Sequence, residues 1–97
     1  MIYLMFKEEV IGEINITSAE NAWVYGSCIL YENAKRFEEL FKAIVSGDEG
    51  EDIFEESNFA EDMIDDDNWF INDNGEISGI TIPAVYLDEN LISFRQR

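Results

Sequence analysis

The first third of the chain consists of short apolar stretches separated by polar turns, a pattern that predicts β-strands. Residues 2–6 are all apolar, which is typical of a buried strand, and the charged turn at 7–9 follows them. Apolar and polar residues then alternate from 10 to 17, as expected for a strand with one buried face. We expect these two strands to pair as a hairpin and the polar stretch 17–21 to form a loop.

A third strand is predicted at residues 23–31, and it contains Gly26. A glycine inside a strand indicates a bulge or a second backbone that passes close by. Trp23 and Tyr25 stand two residues apart and therefore lie on one face of such a strand. Packing in the core is the favoured interpretation of this aromatic pair, and a recognition patch on the surface is the alternative.

One long helix is predicted at residues 32–45, because apolar residues recur there at spacings of three and four. Its apolar stripe consists of Ala34, Phe37, Phe41, Ile44 and Val45, widened by Leu40. Asn33 is placed to cap the start of the helix, and Gly47 is placed to end it. One or two short helices are predicted in the acidic segment 48–67, and a short acidic helix is expected to begin at Asn58, which has the spacing of a capping box to Glu61.

A second group of strands follows the acidic segment. Residues 69–71 are apolar and lead to an Asn-Gly pair at 74–75, the dipeptide that most strongly predicts a hairpin turn. The return strand is predicted at 76–86, with Pro83 at an edge or an interruption because proline has no amide proton. A last strand is predicted at 91–94.

Strands joined by short polar turns favour an antiparallel sheet with helices on one face. The predicted fold is a single α+β domain over residues 1–97, with an antiparallel sheet of about five to six strands in the order βββ-α(α)-βββ. One main helix and the short acidic helix are expected to pack on one face of that sheet.

The net charge is the most unusual property of the chain. Its 22 Asp and Glu against 6 Lys and Arg give a net charge of −16, whereas about 2–8 charges are enough to keep a small domain in solution. Such a surface repels nucleic acid and anionic membranes and attracts basic proteins. We therefore expect a basic protein partner, with no direct binding to nucleic acid or membrane.

Several kinds of chemistry are missing from the sequence. It has no histidine, the commonest general base and metal ligand, and its glycines match neither nucleotide-binding fingerprint. The lone Cys28 lies in an apolar strand with no histidine to activate it, so we expect a buried structural thiol. We accordingly expect a binding protein instead of an enzyme, with no cofactor and no metal site.

No feature of the sequence predicts export or membrane insertion. A single cysteine cannot form an intrachain disulfide, and the apolar N-terminal stretch is too short for the core of a signal peptide. No apolar run approaches the ~18 residues that a spanning helix needs. A cytoplasmic location is therefore expected.

The acidic residues concentrate between residues 48 and 67, where 11 of 20 residues are Asp or Glu. Several stand four apart, a spacing that brings carboxylates together on a helix and makes them repel one another. A tract that keeps such repulsions is predicted to present carboxylates to the Lys and Arg side chains of a partner, much as DNA presents phosphates. The predicted partner-binding residues are Glu51, Asp52, Glu55, Glu56, Glu61, Asp62, Asp65, Asp66 and Asp67, with Trp69 as an apolar anchor.

This hypothesis makes two demands on the fold. The carboxylates must form one patch instead of being spread over the surface. Trp69 must reach the partner, although a place in the core is the favoured alternative for a residue of this type.

Two functions fit such an acidic patch. One is a stoichiometric inhibitor of a basic, nucleic-acid-acting protein, comparable to a bacterial immunity protein that neutralises a nuclease toxin. The other is a phage-encoded DNA mimic that blocks a defence complex of the host. The alternative to both is a bacterial structural or regulatory domain of unknown function whose charge serves only solubility. The sequence leaves both a monomer and a homodimer open.

Three short motifs stand out along the chain. They are Trp23-Val24-Tyr25-Gly26, Phe37-x-x-Leu40-Phe41 in the predicted helix, and Leu87-Asp88-x-x-x-Ile92-x-Phe94-Arg95. Together they resemble a family of small uncharacterised bacterial proteins, a domain of unknown function. The resemblance implies an N-terminal hairpin, a C-terminal strand pair and a bacterial or phage source, and it implies no catalytic residues.

Overall fold

A computed structural model describes residues 1–48 and 59–97, and in these two stretches the chain forms seven strands and one α-helix. The strands are β1 (Ile2–Phe6), β2 (Glu9–Glu20), β3 (Trp23–Leu30), β4 (Trp69–Asp73), β5 (Glu76–Gly79), β6 (Ala84–Tyr86) and β7 (Leu91–Arg95). The helix α1 (Glu38–Asp48) directly follows a 3₁₀ helix at Glu32–Phe37, and another 3₁₀ helix spans Asp66–Asn68.

All of these strands belong to one sheet, and every pairing in it is antiparallel. The strand order is β5-β4-β1-β2-β3-β7-β6, so strands from the second half of the chain flank the three N-terminal strands on both sides. The predicted antiparallel α+β class with one main helix is confirmed.

The core lies between the sheet and the helical segment. Its centre is an aromatic cluster formed by Phe6, Phe37, Phe41 and Trp69, whose neighbouring ring centroids lie 4.9–6.1 Å apart. The rings are tilted or edge to face, the arrangements that aromatic quadrupoles favour. All four side chains are buried, and each contributes about 1.5–3 kcal/mol through removal of its apolar surface from water.

The segment after β5 ties the two flanks of the sheet together. Ile80 donates its amide to the carbonyl of Trp69 on β4 at 3.0 Å, and it forms an antiparallel bridge with Gln96 just after β7. The amide of Thr81 then donates to the carbonyl of Arg95 at 2.9 Å. The sheet therefore curls around the core, with Ile80 fully buried at the junction.

The Arg97 side chain fixes this junction. Its Nε donates to the carbonyl of Ile80 at 2.8 Å and its Nη2 to the carbonyl of Trp69 at 3.0 Å, while Nη1 lies 3.2 Å from the carboxylate of Asp67. A planar guanidinium can serve three acceptors at once in a fixed geometry. One side chain therefore joins the last residue to β4 and to the segment after β5.

Gly26 allows β2 and β3 to approach closely. It pairs with Ile16, beside a shift in register between Ile16 and Ser18. A β-carbon at position 26 would lie 2.3 Å from the carbonyl oxygen of Asn15. The predicted bulge or close backbone approach at this glycine is confirmed, and both are present.

Two strand predictions are wrong, and the count of five to six strands is therefore too low. Residues 76–86 form β5 and β6 instead of one strand, with the buried Pro83 between them. Proline has no amide proton, so the ladder cannot continue through it. The loop predicted at 17–21 is also wrong, because β2 continues to Glu20 and its last residues pair with β3.

The helical segment begins and ends differently from the prediction. Its first part, Glu32–Phe37, is a 3₁₀ helix. Asn33 does not cap it, because its side-chain amide donates to Glu9 Oε2 at 2.8 Å and to the carbonyl of Val10 at 3.0 Å. These bonds attach the 3₁₀ helix to the start of β2. At the other end, α1 continues beyond Gly47.

The short acidic helix is wrong over its described part, where the chain forms turns. Two side chains bind backbone carbonyls that a helix would use: Asn68 Nδ2 donates to Asp62 O at 2.9 Å, and Trp69 Nε1 donates to Met63 O at 2.9 Å. Side-chain hydrogen bonds of this kind compete with helix formation. The predicted cap residue, Asn58, lies outside the described residues.

We expect Gly26→Ala to lower the free energy of unfolding by about 1–3 kcal/mol or more, because the new methyl group would collide with the backbone of Asn15. Ser27→Ala is the matched control at the next, half-buried position and should change stability by less than about 0.5 kcal/mol. Urea unfolding followed by circular dichroism measures both. Equal stability of the two variants would contradict the close approach.

We expect Arg97→Ala to lower the free energy of unfolding by about 1.5–3 kcal/mol, the range for a hydrogen bond to a charged group, because it leaves the carbonyl of Ile80 without this donor. Arg95→Ala removes an exposed guanidinium two residues away and serves as the control. The same urea titration distinguishes them. If both variants unfold at the same concentration, Arg97 does not hold the junction.

Candidate partner-binding surface

The predicted partner-binding residues fall into three groups. Glu51, Asp52, Glu55 and Glu56 lie outside the described residues. Glu61, Asp62, Asp65, Asp66 and Asp67 are exposed on the surface. The prediction of Trp69 as an anchor is wrong, because its side chain is 0% exposed at the centre of the aromatic cluster. The alternative place in the core is confirmed for this residue.

Two of the exposed carboxylates are held in ion pairs. Asp62 lies 2.8 Å from the Nζ of Lys7, and Asp67 lies 3.2 Å from the Nη1 of Arg97. The hydrogen bond from Lys7 holds the pKa of Asp62 below its ordinary value. Exposed ion pairs contribute little to stability, but they occupy carboxylates that were predicted to be free for a partner.

Two further carboxylates bind backbone amides. Asp65 Oδ1 accepts from the amide of Asp67 at 2.9 Å and so caps the 3₁₀ helix Asp66–Asn68. Asp66 Oδ1 accepts from the amide of Ile82 at 2.9 Å and fixes the segment between β5 and β6. This part of the acidic tract therefore helps to shape the fold.

The carboxylates do not form one patch in the described part of the chain. They lie at the turns and strand ends, for example at Glu8, Glu20, Glu76 and Glu89, and along the helical segment. A helical ladder of carboxylates is also absent around Asp65, where the chain forms turns and a 3₁₀ helix. The expectation of a single acidic face is wrong for these residues.

The aromatic pair of β3 lies on the surface. Trp23 is 43% exposed and Tyr25 is 42% exposed, whereas the alternate residues Val24, Gly26 and Cys28 are buried against the core. The favoured core interpretation of this pair is wrong. The alternation in the sequence separates the two aromatics from Val24 and Cys28, but it does not show which face the helix covers.

Exposed apolar residues extend this surface along β3 and onto β7. Ile29 is 66% exposed and Leu91 is 43% exposed on the same face, and Leu91 pairs with Ser27. Such pairing makes Leu91 a diagonal neighbour of Tyr25, within reach of an aromatic side chain. We call Trp23, Tyr25, Ile29 and Leu91 the outer patch. These are four of the seven large apolar side chains that are exposed in the described residues, a concentration unlike the scattered exposure that is normal on surfaces.

A depression of about 280 Å³ opens at one side of the outer patch. Its lining includes Tyr25, Tyr86 and Leu91 together with Glu89 and Ser93. Pockets for small molecules usually measure about 300–1,000 Å³. With a volume just below that range, the depression has room for one inserted side chain.

Cys28 faces the core, and the prediction of a buried thiol is confirmed. Burial raises the pKa of this thiol, which keeps it in the unreactive protonated form. Within residues 1–48 and 59–97, no cluster of acidic or cysteine side chains is arranged to hold a metal ion.

No family model matches the chain, and no match was found among curated proteins or solved structures. The resemblance to small uncharacterised bacterial proteins therefore stays a prediction. Across the described ranges, no helix has the length and apolar content needed to cross a membrane.

Tyr31, next to the outer patch, gives a direct test of the side-chain geometry there. Its hydroxyl donates to Glu13 Oε2 at 2.8 Å, and this bond, together with desolvation and the negative charge of Glu13, raises the pKa of Tyr31 to about 12. The bond favours the neutral phenol and so stabilises the folded state. This stabilisation is fully present below the ordinary tyrosine pKa of about 10 and is lost as the pH rises through about 12. We expect Glu13→Gln to lower the pKa of Tyr31.

Ultraviolet titration of phenolate formation measures this pKa, and Tyr31→Phe identifies the transition that belongs to this residue. An unchanged transition in Glu13→Gln would show that the Glu13 carboxylate does not act on the Tyr31 hydroxyl.

Proposed function

We propose that this chain is an acidic binding protein that neutralises a basic, nucleic-acid-acting protein by covering Lys and Arg side chains that would otherwise hold phosphate. The observation that carries the proposal is the net charge of −16. The proposal does not rest on the acidic tract as a single patch, because the described carboxylates are dispersed and Trp69 is buried. No charged side chain among the described residues is buried.

The chain's own cations offset little of this charge. At least four of the six already pair with carboxylates of the chain: Lys7 with Asp62, Arg36 with Glu9, Lys42 with Glu39, and Arg97 with Asp67. Because 22 carboxylates face only 6 cations, most carboxylates have no cation of their own to bind. The resulting field is negative and attracts cations from outside.

A negative field selects partners by charge. It raises the association rate of basic proteins and repels nucleic acid. Proteins that act on nucleic acid gather Lys and Arg where they bind phosphate, so they complement this chain better than other classes do. Occupation of that basic surface would exclude the nucleic acid.

Between the two inhibitor types, the geometry supports an immunity-type inhibitor better than a helical DNA mimic. The carboxylates near Asp65 lie on turns and bind the chain's own amides and cations. The outer patch adds an apolar surface that DNA does not present in its phosphate backbone. A domain whose charge serves only solubility would need neither a partner nor an exposed apolar patch.

The proposal predicts that the tagged chain captures a basic protein from a lysate of the organism that makes it, at low salt. Capture should weaken several-fold between about 0.1 M and about 0.5 M salt, because screening shortens the reach of exposed charges. The captured protein is then purified, and its binding to labelled nucleic acid is followed by fluorescence anisotropy. One equivalent of the chain should abolish that binding.

A variant with the exposed Glu8, Glu32 and Glu76 replaced by Gln tests the role of charge, and it should bind the same protein more slowly. A partner that still binds nucleic acid when saturated with the chain would contradict neutralisation. Recovery of no basic protein at low salt would also contradict the proposal and would favour the solubility alternative.

A further inference from the structure

The outer patch has an acidic border. β2 runs beside β3 and places Glu20 opposite Trp23 and Glu13 opposite Ile29. The turn between β6 and β7 adds Asp88 and Glu89. Two cations also lie near this surface: Arg95 is opposite Trp23 on β7, and Lys42 lines a depression with Ile29 and Asp88. An apolar centre with a polar border is the usual anatomy of a protein interface.

The negative charge of this border decides which class of partner fits. In a two-fold dimer the same surface meets itself, so the borders that carry Glu13, Glu20 and Glu89 in the two copies would be brought close together. Like charges brought together at an interface oppose association, and each copy also carries a net charge of −16. A basic protein brings the opposite charge to the same border, so charge complementarity favours it over a second copy.

The depression beside the patch indicates which side chain of the partner enters. Tyr25 and Tyr86 provide aromatic surface, Leu91 provides aliphatic surface, and Glu89 provides a carboxylate in the same lining. Arginine matches all three, because its stem packs on apolar groups while its guanidinium stacks on aromatic rings and pairs with carboxylates. Arginine is also enriched among the residues that dominate interface energies.

We propose that the outer patch is the docking surface for the basic partner, which inserts an arginine side chain between Tyr25 and Leu91 with its guanidinium beside Glu89. This inference rests on the proposed function for the identity of the partner class. The carboxylates near Asp65 then contribute to long-range attraction, and the outer patch makes the specific contact.

The arginine site can be tested on the isolated chain with N-acetyl-argininamide as the probe. In an NMR titration of the ¹⁵N-labelled chain, the largest amide shifts should appear at Tyr25, Glu89 and Leu91. N-acetyl-lysinamide is the control and should give smaller shifts there at the same concentration. Shifts confined to residues 61–67, or equal for the two compounds, would overturn the arginine site.

The docking surface is tested on the partner recovered by capture, with affinities measured by calorimetry. Tyr25→Ala and Glu89→Gln should each weaken binding at least about ten-fold, the size expected for residues at the centre of an interface. The matched controls are Ile77→Ala and Glu76→Gln, which remove an exposed apolar residue and an exposed carboxylate on β5. They should change affinity by less than about two-fold.

The outcomes separate this inference from the proposed function. If the partner is bound and neutralised equally well by Tyr25→Ala, the docking surface is wrong and the proposed function stands. If no basic protein binds but argininamide shifts Tyr25 and Leu91, the proposed function is wrong and the arginine site stands. If the chain sediments as a dimer and Tyr25→Ala makes it a monomer, the outer patch binds a second copy of the chain. That result would overturn the choice of a basic partner.

Discussion

The close approach of β2 to Gly26 fixes the register between β2 and β3, and this register decides which side chains of β3 reach the core. Side chains alternate between the two faces of a strand, so a slip of one residue would exchange those faces completely. The observed register directs Val24 and Cys28 to the core and leaves Trp23 and Tyr25 outside. No side chain at position 26 could be accommodated without moving the neighbouring strand. The exposed aromatic surface is thus a consequence of backbone packing.

Charge acts at two ranges in this chain. At short range, Asp65 and Asp66 bind backbone amides and help to position the segment before β6. At longer range, the excess of carboxylates creates a field that reaches about 10 Å into 0.1 M salt. A field of this kind brings a basic protein close but does not hold it in one orientation. An apolar surface can do so, because its burial contributes about 25 cal/mol per Å².

Local pattern accounts for much of the fold. Alternation and apolar runs predict β1, β3 and β7, and the Asn-Gly pair predicts the β4–β5 hairpin, where Asn74 and Gly75 both adopt positive φ as a tight hairpin turn requires. The predictions from local pattern fail where a hydrogen bond to a residue distant in the sequence determines the local structure. Asn33 bonds to the start of β2 instead of capping a helix, and the indole of Trp69 takes a carbonyl that the acidic helix would use.

The candidate binding surface is harder to predict from the sequence than the fold, because it depends on where side chains lie in the folded chain. Composition reveals the excess of carboxylates but not their positions, and in the described residues they are distributed over many turns. The outer patch was visible in the sequence as Trp23 and Tyr25, but Ile29 and Leu91 join it only through strand pairing. Which face of the sheet the helix covers is a property of the whole fold.

Fluorescence quenching by neutral acrylamide shows whether a basic protein docks on the outer patch. Trp23 is exposed and Trp69 is buried, so in the free chain acrylamide should quench mainly the emission of Trp23. A Trp23→Phe variant should therefore show much weaker quenching. In the complex with the captured partner, after subtraction of the partner's own emission, docking on the outer patch should protect the Trp23 emission from acrylamide. Equal quenching of Trp23 in the free and bound chain would contradict it.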